Sequence, residues 1–320
     1  MPAGMRGREG NMKKKLLGLV ACVATLALSG ALLAGCSGSG DKTGGDSADG
    51  KETLTVGFDQ SYPPYGFVGD DGKYTGFDLE LAKAVCEKNG WELKLEPIDW
   101  DAKDALIGSG TINCIWNGFT MENRENDYTF SEPYMYNEQV VVVKKDGDAK
   151  KLEDLAGKTV LTQVDSAALH VLEDEKGQKA LADTFKELQT IGDYNNAFMQ
   201  LDSGMIDAVA CDLSIAQYQI AANPDKYVQL SAPLSTEHYA VGFKKGDTEL
   251  AQKVTETLKQ LDADGTVKQL CENFWSKCKR QDCTANTRNG RVTSADIVIH
   301  EDSSQIRITL CKRRCLTCNS

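Results

Sequence analysis

From residue 54 to residue 274 the chain alternates short apolar strands with amphipathic helices, and it runs through that alternation twice. A chain so patterned has few options, because its helices must cover the faces of largely parallel sheets. In the first pass residues 54–58 read as a strand. Asp78 opens a helix with Leu79, Ala82, Val85 and Cys86 on one face, and Gly90 stops it. Residues 91–95 alternate as a second strand, Asp101 opens a short helix ended by Gly108, and residues 112–116 form a third strand. The second pass begins with the β-branched run 140–143 and a strand at 158–161. Asp165 or Ser166 then caps a helix through Leu169 and Leu172 to Gly177, and residues 184–188 suggest a further strand. Asn195 caps a helix ended by Ser203 and Gly204, and strand 206–210 leads through Cys211 and Asp212 into a helix that reaches Ala222.

The two passes share a detail. Ser109-Gly110-Thr111-Ile112-Asn113-Cys114-Ile115 and Ser203-Gly204-Met205-Ile206-Asp207-Ala208-Val209 both read Ser-Gly-x-Ile-[Asn/Asp]-x-[Ile/Val], each where a helix ends and a strand starts. Ser-Gly turns are common, so the match gains weight only from its position, which suggests two lobes on one plan. A strand-like stretch at 239–243 follows. Behind it run the helical stripes Leu250, Val254, Leu258, Leu261 and Val267, Leu270, Phe274, which are expected to pack back on the first lobe. The chain then crosses between lobes twice, near 140–144 and near 237–241, and two crossings make a hinge.

In open α/β sheets ligands sit beyond the carboxyl ends of strands. The first lobe's third strand ends in Asn117, Gly118, Phe119 and Thr120, with Arg124 four residues on. Gly lets a ligand approach the backbone, Thr supplies a hydroxyl, and Arg offers a planar fork that matches two carboxylate oxygens. The plainer alternative is an edge turn whose Arg makes a surface ion pair. Asp212 stands at the matching strand end of the second lobe.

With 320 residues there is room for two ordinary domains. Residues 1–35 and 278–320 each carry a net +4, so the body between them carries −19 within the chain's total of −11. So acidic a body argues against binding nucleic acid or an anionic membrane surface through its own charge. At the N-terminus Lys13, Lys14 and Lys15 precede an apolar run at 16–33, a positive region followed by a hydrophobic one, as in an export signal. The run approaches the length of a membrane span. Its ending, Leu33-Ala34-Gly35-Cys36, instead resembles the bacterial lipobox, which implies cleavage before Cys36 and lipidation of that cysteine. Residues 37–50, rich in Gly, Ser and Asp, read as a flexible tether spanning about 20 Å.

Residues 52–277 resemble the polar amino-acid-binding lipoproteins of bacterial ABC importers, the family 3 solute-binding proteins. The resemblance rests on Leu54-Thr55-Val56-Gly57, the run from Tyr62 through Pro63, Pro64, Tyr65 and Gly66 to Phe67, and Thr75-Gly76-Phe77-Asp78-Leu79-Glu80-Leu81-Ala82. It rests also on Gly118 and Thr120, Arg124, Phe130-Ser131-Glu132-Pro133-Tyr134, Asp207-Ala208-Val209, Asp212 and Asp264-Gly265-Thr266-Val267. It implies an α/β, two-lobed periplasmic-binding-protein-like fold of type II, with the ligand in the cleft between the lobes. The expected division is a signal at 1–35, lipidated Cys36 and tether at 36–50, lobe 1 at 51–140 plus 238–277, and lobe 2 at 141–237.

A free amino acid is a zwitterion, so such a cleft needs a fixed cation and a fixed anion. The resemblance puts Arg124 on the ligand carboxylate, with the backbone N–H groups of Ser166 and Ala167 as a second grip. It puts Asp212 on the ammonium, shared with the Gly118 carbonyl and the Thr120 hydroxyl. Tyr62 and Trp100 match the aromatic walls, while Tyr65 and Phe67 are expected in the core. Asp59 matches a position that selects the ligand side chain, its alternative being a turn residue. Gly118 and Arg124 are six apart, one fewer than in many members, so either the loop is tighter or Thr120 is displaced.

The implied function is that of an extracytoplasmic, lipid-anchored protein that captures a polar amino acid for a permease, acts as a monomer, and uses no metal or cofactor. Two alternatives are a sensor for a membrane receptor and a dehydratase-like enzyme on the same scaffold, for which Asp59 and Asp212 are the candidate acids. Cys86, Cys114 and Cys211 lie in apolar settings and read as buried free thiols. Residues 278–320 are basic, hold five of the eleven cysteines and read as a tail without regular structure. There Cys311, Cys315 and Cys318 have the spacing of half a zinc site, with Cys278 or Cys283 to complete it.

Overall fold

Strand β1 (Thr53–Phe58) is buried on both faces, so it needs neighbours on each side and a layer above and below. A small antiparallel sheet follows it, made of β2 (Ser61–Tyr62), β3 (Gly66–Val68) and β4 (Tyr74–Thr75), and leads into α1 (Phe77–Asn89). β5 (Glu92–Pro97) and β6 (Cys114–Ile115), joined by a 3-10 turn and α2 (Lys103–Ser109), pair with β1 in parallel. β7 (Tyr128–Phe130) closes this pass. This is the computed structural model of the protein, and it describes residues 51–275, 297–302 and 305–310.

The chain then leaves the first sheet. β8 (Met135–Lys144) is the long central strand of a second sheet, which also takes β9 (Thr159–Gln163), β10 (Glu187–Ile191), β11 (Ala208–Asp212), β12 (Tyr227–Gln229) and β13 (Ser235–Tyr239). Its order is β10-β9-β11-β8-β12, with β13 also paired to β8. The helices of this half are α3 (Ala167–Glu173), α4 (Lys179–Ala182), α5 (Tyr194–Ser203) and α6 (Leu213–Ala222). β14 (Gly242–Lys244) then returns to the first sheet, whose order becomes β5-β1-β6-β14-β7. α7 (Thr248–Ala263) and α8 (Thr266–Trp275) pack on α1, with Trp275 edge-on to Phe77 at 4.9 Å between ring centroids and Lys88 paired to Asp264 at 2.8 Å. The chain is thus α/β and two-lobed, with the two passes read from the sequence forming one sheet each.

The hinge lies where strands change sheet, and this shifts the expected boundaries. β8 starts at Met135 and belongs wholly to the second sheet, because it pairs with β11 and β13 from its first residue to its fifth and beyond. The outgoing crossing is therefore at 131–134, before the expected 140–144, and residues 135–140 belong to the second lobe. The return is at 240–241, between β13 and β14, so His238 and Tyr239 also stand in the second sheet.

Local caps differ as well. Gly76, not Asp78, precedes α1; the Asp78 side chain is fully buried and turned to the loop after β6 instead. α2 begins after the 3-10 turn at Trp100 and ends at Gly110 in the left-handed conformation, past the expected Gly108, and Asp101 caps nothing. Ser166 caps α3, its Oγ accepting from the Leu169 N–H at 3.1 Å, and the helix stops at Asp174. Asp193 rather than Asn195 caps α5, since its Oδ1 accepts from the Asn196 N–H at 2.9 Å. Burial takes only Asp78 out of capping; Asp101 and Asn195 are exposed, and Asn195 stands two residues inside the helix that Asp193 caps.

Cys86, Cys114 and Cys211 are buried free thiols, as is Cys271. Among the described residues no helix is long and apolar enough to cross a membrane, and no group of side chains could hold a metal ion. The apolar run at 16–33, Cys36, the tether and the five cysteines of the tail lie outside the described residues. The expectation of a tail without regular structure is corrected within it: β15 (Ile297–Asp302) and β16 (Gln305–Leu310) form an antiparallel ladder pairing Ile297 with Leu310 and Asp302 with Gln305. Both segments are rich in β-branched residues, which favour the extended backbone.

Candidate functional site

The loop after β6 carries the first lobe's share of the site. Gly118 has φ 60°, and a Cβ there would stand 3.0 Å from the Tyr239 ring and 3.2 Å from that of Tyr62, so only glycine fits both the backbone and the space. Thr120 bridges to Tyr239 of β13, which fixes the loop against the second lobe. Arg124 is buried above the Phe119 ring, its guanidinium carbon 4.9 Å from the centroid. Its Nη1 donates to the Thr120 carbonyl at 3.2 Å and its Nη2 to the Asp165 carbonyl across the cleft at 3.1 Å. It makes no salt bridge among the described residues, so it is not the surface ion pair of the plainer alternative. Burial lowers its pKa, opposed by the negative charges of Asp165, Glu237 and Asp212. The group stays charged at any physiological pH.

The second lobe supplies the acids. Asp212 ends β11, and its Oδ1 accepts from Asn137 Nδ2 at 2.9 Å, Gln139 Nε2 at 2.7 Å and the Tyr239 hydroxyl at 2.7 Å. A second buried carboxylate, Glu237 on β13, accepts the Thr120 hydroxyl at 2.8 Å. Arg124, Thr120, Glu122 and Asn123 of the first lobe and Asp165, Ala167 and Glu237 of the second line a cleft of about 570 Å³, whereas Asp59, Tyr62, Trp100, Gly118 and Asp212 are not part of its lining.

The remaining expected site residues sit between the lobes. Asp59 accepts from the Ser61 N–H at 2.7 Å and, across the cleft, from Gln163 Nε2 at 2.8 Å; burial raises its pKa. The Tyr62 ring faces Tyr194 of α5 at 6.1 Å, and burial followed by the nearby Asp212 charge raises its phenol's pKa well above the usual value. Trp100 packs edge-on to Phe119 at 5.7 Å and donates its Nε1 hydrogen to the Asp165 carbonyl at 3.2 Å. Ser166 requires a correction: its N–H is bonded to the Gln163 carbonyl at 3.3 Å, so the turn into α3 uses the donor expected for a carboxylate, while Ala167 does line the cleft. Tyr65 is fully buried as expected, whereas Phe67 is half-buried on the small sheet.

The sequence profile of the bacterial extracellular solute-binding proteins, family 3, matches residues 54–277. The chain belongs to that family. This solute-binding protein is 30% identical over 226 residues to the L-cystine-binding protein TcyJ of Escherichia coli strain K12, covering 70% of this chain and 82% of that one. It is 29% identical over 268 residues to the arginine-binding extracellular protein ArtP of Bacillus subtilis strain 168, covering 83% and 99%. Among solved structures, a substrate-binding protein of an ABC uptake transporter from Streptococcus pneumoniae with bound histidine superposes with a TM-score of 0.67 at 35% identity, covering 70% of this chain and 92% of that one.

In this solute-binding protein several site residues are not signalled by any motif. Asp165, at φ 54°, takes three first-lobe side chains: Trp100 and Arg124 on its carbonyl, and Lys103 Nζ on its carboxylate. Burial works to raise the Asp165 pKa, but hydrogen bonds from His170 and Lys103 outweigh it and hold the carboxyl below the usual range. Lys103 is itself buried, which lowers its pKa, and Asp165 offsets part of that cost. Asn137 and Gln139 leave a trace in the sequence, as polar residues at strand spacing ahead of an all-valine run. Asp78 supports the loop from behind, its Oδ2 accepting from the Gly118 N–H at 2.6 Å and the Tyr134 hydroxyl at 2.8 Å.

Burial raises the Asp78 pKa to about 7. An unfolded Asp titrates near about 4, so the folded chain holds the extra proton between those values. The stability this group contributes is present below about pH 4 and is lost as pH rises through about 7. Asp78→Asn keeps an acceptor for both donors and removes the titration. Melting temperatures taken at pH 5 and pH 8 should differ less in Asp78→Asn than in the wild type.

Proposed function

We propose that this chain is an extracytoplasmic, lipid-anchored substrate-binding protein that captures a polar amino acid and hands it to an ABC transporter permease. One observation carries the reading: a buried guanidinium without an ion-pair partner among the described residues, on one lobe, lies within the field of the buried carboxylates Glu237 and Asp212 on the other. A zwitterion satisfies both ends of that arrangement. Its carboxylate takes the Arg124 fork, with the Ala167 end of α3 beside it. Its ammonium takes Asp212, the Gly118 carbonyl and the Thr120 hydroxyl. Tyr62 and Trp100 flank the side chain, and Asp59 with Gln163 stands at its far end. Cystine and arginine, for which two relatives are named, and histidine, bound in a solved relative, share the α-amino-acid head and differ in the rest. This fits a site that grips the head by charge and leaves selection to the walls.

Capture rather than turnover is the proposed role, and the bound amino acid should be recovered unchanged after incubation. The anchor is Cys36, supported by the apolar run and the lipobox-like sequence before it.

A thermal-shift screen of the twenty amino acids and cystine tests the core of this reading, since a ligand that binds only the folded state raises the melting temperature. Arg124→Ala should abolish the shift and any calorimetric binding. A charge-assisted hydrogen bond contributes about 1.5–3 kcal/mol, so Asp212→Asn should weaken binding by at least about tenfold. Undiminished affinity in either variant would move the head-group site elsewhere. Cys36→Ser should shift the protein from the membrane fraction to the soluble one, as followed by immunoblot.

A further inference from the structure

Asp212 is not the only buried acid where the lobes meet. β8 lies between β11 and β13, and its register sets Gln139 opposite Asp212 and Asn137 opposite Glu237. Residues two apart on a strand share a face, so the two amides bridge the two acids. Asn137 Nδ2 reaches Asp212 Oδ1 at 2.9 Å and Glu237 Oε1 at 2.7 Å, and Gln139 Nε2 reaches both at 2.7 Å. Each amide has two hydrogens, one for each carboxylate. The oxygens of the same amides, Asn137 Oδ1 and Gln139 Oε1, are buried and accept no hydrogen bond from the protein. The cluster is rich in acceptors and short of positive charge.

The third contact decides what Glu237 does. Thr120 Oγ1, from the other lobe, donates its one hydrogen to Glu237 Oε1 at 2.8 Å. A hydroxyl whose hydrogen is taken by a carboxylate offers only lone pairs to anything else. An ammonium has three N–H donors and no acceptor, so such a hydroxyl suits it.

We propose that Glu237 is a positioning residue of the ammonium subsite: it turns the Thr120 hydroxyl into an acceptor and adds a second negative charge beside Asp212. The proposal rests on the amino-acid reading above. The titratable groups around Glu237 are Asp212 from β11, the Arg124 guanidinium from the loop after β6, and the phenols of Tyr136 on β8 and Tyr239 on β13. Burial, and then repulsion from Asp212, pushes its pKa up to about 7. An ammonium arriving between the acids favours their ionised form, so binding releases a proton from the pair. Affinity should therefore tighten as pH rises through about 7 and level off above it, with binding at pH 6 about tenfold weaker than at pH 8.

The test is calorimetry on the full chain at pH 6 and pH 8, in buffers of unequal ionisation heat. The probes are cystine and the L-amino acids other than histidine, whose own ring titrates in this range. At pH 6 the wild type should release close to one proton on binding, and little at pH 8, where the pair is already ionised. Glu237→Gln, which keeps the shape and removes the charge, should bind at least tenfold more weakly at pH 8 and show neither proton release nor pH dependence. Binding by Glu237→Gln with wild-type affinity, or a pH dependence that survives the substitution, overturns the proposal and leaves the amino-acid reading standing. If Glu237→Gln does not fold, the wild type decides alone: pH-independent binding without proton release overturns the proposal. Failure of the wild type to bind any probe would remove the amino-acid reading, and this inference with it.

Discussion

A guanidinium that is buried must be answered, because taking one charge out of water costs several kcal/mol unless something compensates it. Arg124 receives two carbonyl oxygens and an aromatic face, which satisfy part of its fork but not its charge. One of those carbonyls belongs to Asp165 on the other lobe, and the acids that oppose its positive charge also stand across the cleft. The closed arrangement of the two lobes follows from this. Asp165 gathers Trp100, Lys103 and Arg124, Asp59 meets Gln163, and Thr120 meets Glu237. Each of these contacts joins a polar atom of one lobe to a polar atom of the other.

The rest of the architecture keeps the loop at 117–120 in place. Gly118 fits only because it lacks a side chain between two tyrosine rings, and its N–H is held from behind by Asp78. That same carboxylate holds the Tyr134 hydroxyl at the point where the chain leaves the first sheet. A single buried acid thus ties the loop at 117–120 to the hinge. On the far side, β8 presents Asn137 and Gln139 to two acids at once, so the anionic end of the site is a property of three strands rather than of one residue.

Much of the frame was legible beforehand because it depends on local rules. The Ser-Gly turns really do end α2 and α5, with Gly110 and Gly204 in the left-handed conformation that a side chain disfavours. The stripes at 250–261 and 267–274 became α7 and α8 against the first lobe. Caps were less legible: Asp78 and Asn195 look like helix openers, yet one is drawn into a buried network and the other gives way to Asp193. The crossing lies at 131–134 rather than at the valine run because that run is only the second half of β8, and its polar first half resembles a loop until its strand partners are in place.

The α/β alternation, the two lobes, Gly118 and Arg124 in the segment after β6 and Asp212 at the end of β11 are written in the sequence, since periodicity, turn chemistry and residue type act over a few neighbours. Tertiary structure alone decided that Glu237, Asn137, Gln139 and Asp165 join them. Thr120 and Glu237 are 117 positions apart, and Gln139 and Asp212 are 73 apart, so nothing in the local pattern of either partner reports the other. Only when three strands lie side by side and one lobe closes on the other do their charges and hydrogens come within reach, and the closing energy then depends on burial that no single stretch of chain can express.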